Sequence, residues 1–175
     1  KDTAGKTVGE ELARIGYVGT EEPGAHPIGA YFETHIEQGP VLDSEGITIG
    51  AVRDLQGISW QEVTVTGQSN HAGTTPMRLR HDAGYCAAAI AACLRGLARE
   101  MGGAQVCTVG RIELVPNLIN VIAARATLTA DLRNTDEALL RKAEERLAAV
   151  LTVLGRDEGV TIRARRLARF EPVAF

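Results

Sequence analysis

One stretch of the sequence, residues 123–133 (AARATLTADLR), decides the fold of this chain. Small or apolar residues alternate with polar ones at every second position, which is the period of a β-strand with one buried face. The alternation assigns Leu128 and Leu132 to the core and leaves Arg133 on the polar face. A half-buried strand of this kind is typical of an antiparallel sheet that is covered on one side only.

Further elements flank this strand on both sides in the sequence. Apolar residues at helical spacing predict two helices, and alternating residues predict three more strands. The helices are expected over 82–101 and 136–154, and the strands over 58–66, 105–114 and 159–166. The order from 57 to 166 is therefore β-α-β-β-α-β. This order predicts an α/β fold in which two helices cover one face of a four-stranded antiparallel sheet.

The N-terminal segment, residues 1–52, has a different character. Residues 7–16 predict a short helix, and residues 29–37 and 47–52 predict two strands. These elements are too few to close a core, so the segment is expected to be part of another domain. The sequence begins without Met and without an apolar leader, which suggests a piece of a longer protein.

Composition and charge limit the kinds of molecule that the chain is expected to bind. The chain has 175 residues, 45% of them hydrophobic, and a net charge of −3. This mild acidity does not favour nucleic acid or an anionic membrane, and no apolar run is long enough for a membrane span. One basic run near the C-terminus alternates like a surface strand and is expected to be solvated. It consists of Arg163, Arg165, Arg166 and Arg169.

The three cysteines, Cys86, Cys93 and Cys107, cannot all pair within the chain. Cys86 and Cys93 lie seven residues apart on a predicted helix, about 10.5 Å along its axis, which is too far for a disulfide. Reduced core thiols are typical of a cytoplasmic protein.

Four histidines are present, and two of them stand in suggestive surroundings. His35 ends a predicted strand beside Glu37 and Gln38, where a neutral imidazole can bind zinc or a similar metal. The alternative is a hydrogen-bonded structural histidine. A catalytic metal needs about three protein ligands, and no second histidine cluster supplies them. If His35 binds a metal, its partners are expected outside this chain.

The second histidine, His71, lies in a polar loop, residues 67–77, between a predicted strand and a predicted helix. The loop is longer than a plain connection requires. His71 could polarise a carbonyl or stabilise an oxyanion, although an ordinary polar loop is the alternative. His26 and His81 have no such neighbours and are expected at the surface.

Four linked motifs run through most of the chain. They are THIEQGPVL (34–42); Gly67 with NHAGTTPM (70–77), Arg80 and Asp82; PN (116–117) with NVI (120–122); and DLR (131–133). In this order and spacing they resemble the M20-type amidases of the hydantoinase/carbamoylase group. That group comprises N-carbamoyl-L-amino acid hydrolases, allantoate amidohydrolases and β-ureidopropionases. One departure is VIAAR (121–125), where the family commonly has Pro-Gly before the arginine.

The resemblance implies a two-domain enzyme with a zinc-peptidase-like catalytic domain and an inserted lid that also dimerises. Residues 1–52 would belong to the metal-binding catalytic domain and residues 53–166 to the lid. Residues 167–175 would return towards the catalytic domain. The family uses two divalent metal ions per active site, here zinc, manganese or cobalt.

The resemblance also assigns roles to individual residues. His35 would be a metal ligand, and Gln38 would lie close to the substrate. His71 would reach the active site of the partner subunit of a homodimer and polarise the scissile ureido carbonyl, and Asn120 and Arg133 would grip the substrate carboxylate. The remaining metal ligands and the catalytic glutamate have no match in residues 1–175, so the chain alone is expected to be inactive.

The leading hypothesis is hydrolysis of the ureido C–N bond of an N-carbamoyl-L-amino acid or a related ureido acid. One alternative is an allantoate amidohydrolase. A second is a non-catalytic module for dimerisation or small-ligand binding, which would need neither His35 nor the His71 loop. A peptidase of the same superfamily is disfavoured, because residues 70–77 fit the amidase branch better.

Overall fold

The computed structural model describes residues 1–175, which divide into two units, Lys1–Gly50 and Ala51–Phe175. The larger unit contains two long helices and all seven strands. Its strands are β1 (Asp54–Leu55), β2 (Gly57–Thr66), β3 (Val106–Thr108), β4 (Ile112–Val115), β5 (Arg125–Asn134), β6 (Thr161–Phe170) and β7 (Val173–Ala174).

The main sheet of the larger unit is antiparallel throughout. Its strand order is β3-β5-β2-β6, and β4 also pairs with β5. β2 and β5 pair over their full lengths, from Gly57 opposite Asn134 to Thr66 opposite Arg125. A separate two-stranded ribbon pairs β1 with β7. The sheet therefore has four strand positions, and the predicted fold class is confirmed.

The single strand predicted over 105–114 is wrong in detail, because the structure breaks it into β3 and β4. Thr108 lies opposite Asp131, and Ile112 lies opposite Leu128. Four residue steps from β3 to β4 therefore match three steps along β5, so the segment between β3 and β4 has one extra residue. An extra residue of this kind bulges out of the ladder and bends the strand.

Two long helices, α3 (Ala83–Met101) and α4 (Glu137–Asp157), pack on one face of the sheet. Each begins after an aspartate whose side chain accepts hydrogen bonds from the first turn, Asp82 for α3 and Asp136 for α4. Such capping satisfies backbone N–H groups that have no partner within the helix. α3 ends at Gly102, whose φ of 62° suits a glycine.

The core lies between these helices and the covered face of the sheet. β2 contributes Val63 and Val65, and β5 contributes alternate residues that include Leu128 and Leu132. The two helices contribute Ala83, Cys86, Ala87, Ile90, Leu94, Leu97, Leu140, Ala143, Leu147 and Leu151. The alternation in residues 123–133 therefore predicted the buried face of β5.

The helical spacing of apolar residues in 136–154 predicts that Leu139 lies in the core, and this prediction is wrong, because its side chain is 44% exposed. The buried stripe of α4 repeats at three and four residues from Leu140 through Ala143, Leu147 and Leu151. Leu139 lies one residue, or about 100°, away from that stripe and points outwards.

The basic run of the sequence lies on β6, the last strand of the sheet order. This strand extends to Phe170, four residues beyond its predicted end. Arg165 pairs with Glu62 at 2.9 Å. Arg169 pairs with Glu137 at 2.7 Å and with Glu144 at 3.1 Å, and its side chain is only 15% exposed. The expectation of a solvated face is therefore wrong for Arg169, which joins β6 to α4.

The smaller unit, Lys1–Gly50, contains two short helices, α1 (Val8–Arg14) and α2 (Val41–Glu45). α1 confirms the predicted helix, whereas α2 was not predicted. The strands predicted over 29–37 and 47–52 are wrong, because neither segment pairs with another. A strand needs a neighbour for its backbone N–H and C=O groups, and apolar content alone does not provide one.

None of the helices combines the length and the apolar character that crossing a bilayer would require.

Candidate functional site

Two loops of the larger unit, residues 67–76 and 116–124, run alongside each other and bring His71 and Asn120 together. The N–H of Ala72 donates to the carbonyl oxygen of Asn120 at 2.9 Å. The N–H of Ile122 donates to the carbonyl oxygen of Asn70 at 2.8 Å, and His71 forms an isolated antiparallel bridge with Val121. Two predicted site residues that are 49 positions apart in the sequence thus lie on adjoining backbones.

The first of these loops begins at Gly67, where the backbone approaches the start of α3 closely. A Cβ atom at this position would lie 2.0 Å from the carbonyl oxygen of His81. The same carbonyl accepts from the N–H of Gln68 at 2.9 Å, and Gly67 donates to Ala124 at 2.7 Å. Only glycine fits this contact, so Gly67 determines where the His71 loop leaves the sheet.

His81 differs from its predicted surface position. It is partly buried, and its Nδ1 lies 3.1 Å from the carbonyl oxygen of Glu158. It therefore links the start of α3 to the end of α4. His26 is exposed, as the sequence predicted.

The imidazole of His71 is exposed, and one of its nitrogens is bound within its own turn. The N–H groups of Gly73 and Thr74 lie 3.1 Å and 3.3 Å from Nδ1. Nε2 has no partner in the structure and faces away from these contacts. The ring can therefore offer Nε2 to a ligand.

Arg80 holds the far side of this turn and was missed as a functional residue. Its Nε donates to the carbonyl oxygen of Thr75 at 3.0 Å, and Nη2 donates to the carbonyl oxygen of Ala72 at 2.6 Å. The hydroxyl of Thr75 in turn donates to the carbonyl oxygen of His71 at 2.7 Å. The sequence signals were its place at the end of a polar loop and within one of the four linked motifs, and neither shows what it binds.

Arg133 lies at the opposite end of β5 from the two loops. The loops adjoin Arg125, and the eight residue steps from Arg125 to Arg133 span about 26 Å at about 3.3 Å per step. The structure therefore does not bring Arg133 of one chain together with His71 and Asn120 of the same chain.

The guanidinium of Arg133 is held by Asp131 through Nε and Nη2, at 3.0 Å and 2.8 Å for the shortest contacts. These hydrogen bonds raise the pKa of Arg133, so the group is a permanent cation. Its carbon Cζ also lies 5.9 Å from the ring centre of Trp60. Nη1 has no partner, so the arginine can still donate to a ligand carboxylate.

A shallow cavity of about 230 Å³ opens beside the His71 loop. Residues from both loops and from the start of α3 line it. They include Ala72, Arg80, Asp82, Tyr85, Asn117 and Val121. Two of its polar side chains are already engaged within the chain, since Asp82 caps α3 and Arg80 binds the loop carbonyls.

The other two predicted site residues, His35 and Gln38, lie in the smaller unit. Both are exposed, and Nδ1 of His35 contacts the carbonyl oxygen of Ile36. Gln38 has a φ of 52°, a conformation that is uncommon for a residue other than glycine and is found more often at functional sites. The intervening Glu37 accepts from the N–H groups of Val41 and Leu42, both at 3.0 Å.

The donor groups of residues 1–175 do not fit a metal site on their own. No three His, Cys, Asp or Glu side chains cluster anywhere in the chain. A catalytic zinc needs about three protein ligands, so His35 alone is insufficient.

The three cysteines are free and show no sign of activation. Burial raises the pKa of the Cys86 thiol to about 11, and it raises the pKa of Cys93 and Cys107 as well. A thiol with a raised pKa is protonated at neutral pH and is a poor nucleophile.

Comparison with known proteins gives consistent matches. Residues 53–158 match the peptidase dimerisation domain of the M20 family. An N-carbamoyl-L-amino-acid amidohydrolase from Rhizobium meliloti is 40% identical over 175 residues. An allantoate amidohydrolase from Escherichia coli K12 is 44% identical over 120 residues, or 69% of this chain. The crystal structure of a hydantoinase/carbamoylase family amidase from Burkholderia multivorans is 41% identical and superposes with a TM-score of 0.92.

Each of these relatives is much longer than this chain. The chain is covered completely by the Rhizobium and Burkholderia proteins but spans only 42% and 43% of them. It spans 29% of the Escherichia coli protein.

Proposed function

This chain belongs to the M20 family and carries its peptidase dimerisation domain over residues 53–158. We propose that it is part of an amidohydrolase. The proposed reaction is hydrolysis of the ureido C–N bond of an N-carbamoyl-L-amino acid or a related ureido acid. Two relatives named N-carbamoyl-L-amino acid amidohydrolase match 100% and 99% of the chain. Residues 1–175 by themselves are proposed to be inactive.

The observation that carries the proposal is the distribution of the polar groups along β5. His71 and Asn120 lie on adjoining loops at one end, and Arg133 lies at the other, about 26 Å along the strand. A small ureido acid is far shorter than this distance. If all three residues touch one substrate, two copies of the chain must contribute them.

We therefore propose a homodimer in which each active site takes His71 and Asn120 from one subunit and Arg133 from the other. This arrangement agrees with the family's dimerisation domain. A two-fold axis would repeat the same contacts in both sites, as is usual for homodimers.

The chemistry of each group suits its proposed role. The free Nε2 of His71 would donate a hydrogen bond to the ureido oxygen, where negative charge develops during attack on the carbonyl. Arg133 would bind the substrate carboxylate through its free N–H groups, while Asp131 holds the guanidinium in place. Asn120 would add a neutral hydrogen-bond donor to the carboxylate.

The smaller unit is proposed to belong to the catalytic domain. His35 would be one ligand of a divalent metal, zinc, manganese or cobalt, whose other ligands lie outside residues 1–175. Gln38 would lie near the substrate. The proposed boundaries are 1–52 for this part, 53–166 for the lid and 167–175 for the return. A cytoplasmic location is proposed because all three cysteines are free.

The first experiment is ammonia release from a panel of N-carbamoyl-L-amino acids and allantoate. It uses the full-length protein with added manganese, cobalt or zinc, and the chain of residues 1–175 is the control. Release confined to the full-length protein supports the proposal and identifies the substrate. No release with any metal, from a protein that folds and dimerises, would leave the non-catalytic binding module as the better proposal.

Subunit complementation tests the shared site. We expect His71→Ala to raise the barrier by about 2.7–4 kcal/mol if the histidine supports the oxyanion. Arg133→Ala should weaken substrate binding, because the carboxylate loses its cation. When the two variants are co-expressed, half of the dimers are mixed, and each has one intact site. Activity should therefore recover to about a quarter of the wild-type value.

His26→Ala provides the matched control, since it removes an exposed histidine and should leave turnover unchanged. Activity of the mixed dimers no higher than that of the two variants alone would contradict the shared site.

Allantoate is the second candidate substrate. The support is the 44% identity to the Escherichia coli allantoate amidohydrolase over 120 residues, or 69% of this chain. The same ammonia assay separates the two, because each substrate is offered alone.

A further inference from the structure

The turn that carries His71 makes several hydrogen bonds, and two of them are directed at the imidazole ring. Two backbone N–H groups, of Gly73 and Thr74, point at Nδ1 of the imidazole at 3.1 Å and 3.3 Å. Both are donors, so the atom they share must be an acceptor. A neutral imidazole has one nitrogen that accepts and one that donates.

These contacts identify which nitrogen holds the proton. Nδ1 can accept only if it has no hydrogen, so the neutral ring must hold its hydrogen on Nε2. In the other tautomer, the Nδ1 hydrogen would point at two further N–H groups, and Nε2 would have a lone pair. The turn therefore selects a ring whose free nitrogen is a hydrogen-bond donor.

The turn is held in this shape by Arg80. Its guanidinium binds the carbonyl oxygens of Ala72 and Thr75, which flank the two donating N–H groups. A planar guanidinium has several N–H groups in fixed directions, so it can bind two carbonyls at once in a fixed geometry. The hydroxyl of Thr75 donates a third hydrogen bond within the turn, to the carbonyl oxygen of His71 at 2.7 Å.

We infer that Arg80 is a positioning residue, which holds the 71–75 turn so that His71 is kept in the Nε2–H tautomer and presents a hydrogen-bond donor at its free nitrogen. The tautomer itself follows from the contacts within this chain. Its use on a carbonyl oxygen rests on the proposed function, because an oxyanion requires a donor and not a lone pair.

In the proposed reaction, Arg80 supports the turn and other residues bind the substrate. Nε and Nη2 of Arg80 are committed to backbone carbonyls, so we assign this residue to the support of the turn and not to the substrate. Loss of Arg80 should therefore lower kcat of the full-length enzyme, by up to about 100-fold for a displaced group. KM should change little, because the substrate contacts proposed for Arg133 remain.

Nitrogen-15 NMR of the histidine rings tests the tautomer without any assay of activity. The chain is labelled with ¹⁵N-histidine and observed at about pH 8, where an ordinary histidine is neutral. With only four histidines, His71→Gln identifies the His71 signals. We expect the chemical shifts of a protonated Nε2 and a bare Nδ1. Every sample also carries Glu21→Ala, which removes the carboxylate 3.5 Å from Nε2 of His26. Exposed His26 is then the reference within the same spectrum and should show an average of both tautomers.

Variants test the role of Arg80. Arg80→Ala should move the His71 shifts towards the average shown by His26, and Arg80→Lys should fall between the two. Arg78→Ala is the matched control, because this exposed arginine has no hydrogen-bond partner, and it should change nothing. If Arg80→Ala fails to fold, Gly73→Ala takes its place. The added Cβ would lie 3.2 Å from Cε1 of His71 and should displace the ring from the two N–H groups.

The outcomes separate this inference from the proposed function. A wild-type His71 with its hydrogen on Nδ1, or with the same average as His26, would overturn the inference. An unchanged His71 tautomer in Arg80→Ala would contradict the positioning role of Arg80. If the tautomer is as expected but the full-length protein hydrolyses no ureido acid, the proposed function fails and the tautomer assignment stands.

Discussion

The two units of the chain respond differently to similar sequence patterns. Residues 1–50 contain a capped helix and several large apolar side chains, yet none of these residues is buried. Residues 51–175 contain the same kinds of pattern, and their apolar faces meet in one core between helices and sheet. The difference shows that an alternating or helical pattern becomes a packed element only where a second surface completes it.

The largest expected effect is the loss of a core side chain in the larger unit. Leu140 is fully buried on α4, and Leu140→Ala should lower the free energy of unfolding by about 2–5 kcal/mol. Urea unfolding followed by the circular dichroism of the helices measures this loss.

Two controls accompany this variant. Leu139→Ala makes the same chemical change one residue earlier, at a side chain that is 44% exposed, and should cost less than 1 kcal/mol, about the size of surface effects. Phe32→Ala removes a larger side chain from the smaller unit and should have no effect on the main transition. An effect of Phe32→Ala equal to that of Leu140→Ala would contradict the contrast between the units.

The next effect concerns the ion pairs that join β6 to α4. Arg169 contacts Glu137 and Glu144, and all three side chains are at most 29% exposed. Arg169→Ala leaves Glu144 without a partner and Glu137 with Arg141 alone, and it should cost about 1–3 kcal/mol. Arg163→Ala on the same strand is the control, because that side chain is exposed and unpaired. Equal unfolding midpoints for the two variants would show that the pairs add nothing.

The pH dependence of stability sharpens the same contrast. Hydrogen bonds from Arg169, and then from Arg141, lower the pKa of Glu137 in the folded chain. A lowered folded pKa stabilises the protein above the unfolded value of about 4.3, and this contribution is lost as the pH falls through the folded pKa. The difference between wild type and Arg169→Ala should therefore shrink below about pH 4. Urea unfolding at several acidic pH values measures it, and a constant difference would contradict the assignment.

The fold of the larger unit was predictable because its patterns are complete within the sequence. Residues 123–133 predicted the buried face of β5, and Asp82 and Gly102 lie where the helix was expected to begin and end. The one-residue bulge between β3 and β4 was not predictable, since it depends on pairing with β5. The two strands expected in residues 29–52 failed for the same reason, because strand partners are not visible in the segment itself.

The candidate site was predictable to a smaller extent. The motifs identified His71, Asn120 and Arg133 as residues of interest, and the structure joins the first two through their loops. The position of Arg133 far from Asn120 follows from the strand predicted over 123–133, whereas the pairing of the His71 loop with residues 120–122 is not revealed by spacing in the sequence. The role of Arg80 is invisible in the sequence because it acts through backbone carbonyls, which every residue has.

The smallest expected effect compares two helix caps of the same kind. Asp82 accepts hydrogen bonds from Gly84 at 2.8 Å and Tyr85 at 3.0 Å at the start of α3. Asp82→Ala should cost about 1 kcal/mol in the main unfolding transition, since α3 unfolds together with the core. Thr7 caps α1 in the same way, within a capping box that includes Glu10.

Thr7→Ala should leave the main transition unchanged, because α1 buries no residue and its helix can unwind without disturbing the core. Hydrogen exchange measures both, since amides of α3 should exchange faster in Asp82→Ala whereas amides of α1 are unprotected even in the wild type. Protection of α1 as strong as that of α3 would show that residues 1–50 unfold with the core. The contrast between the two units would then rest on side-chain burial and not on cooperativity.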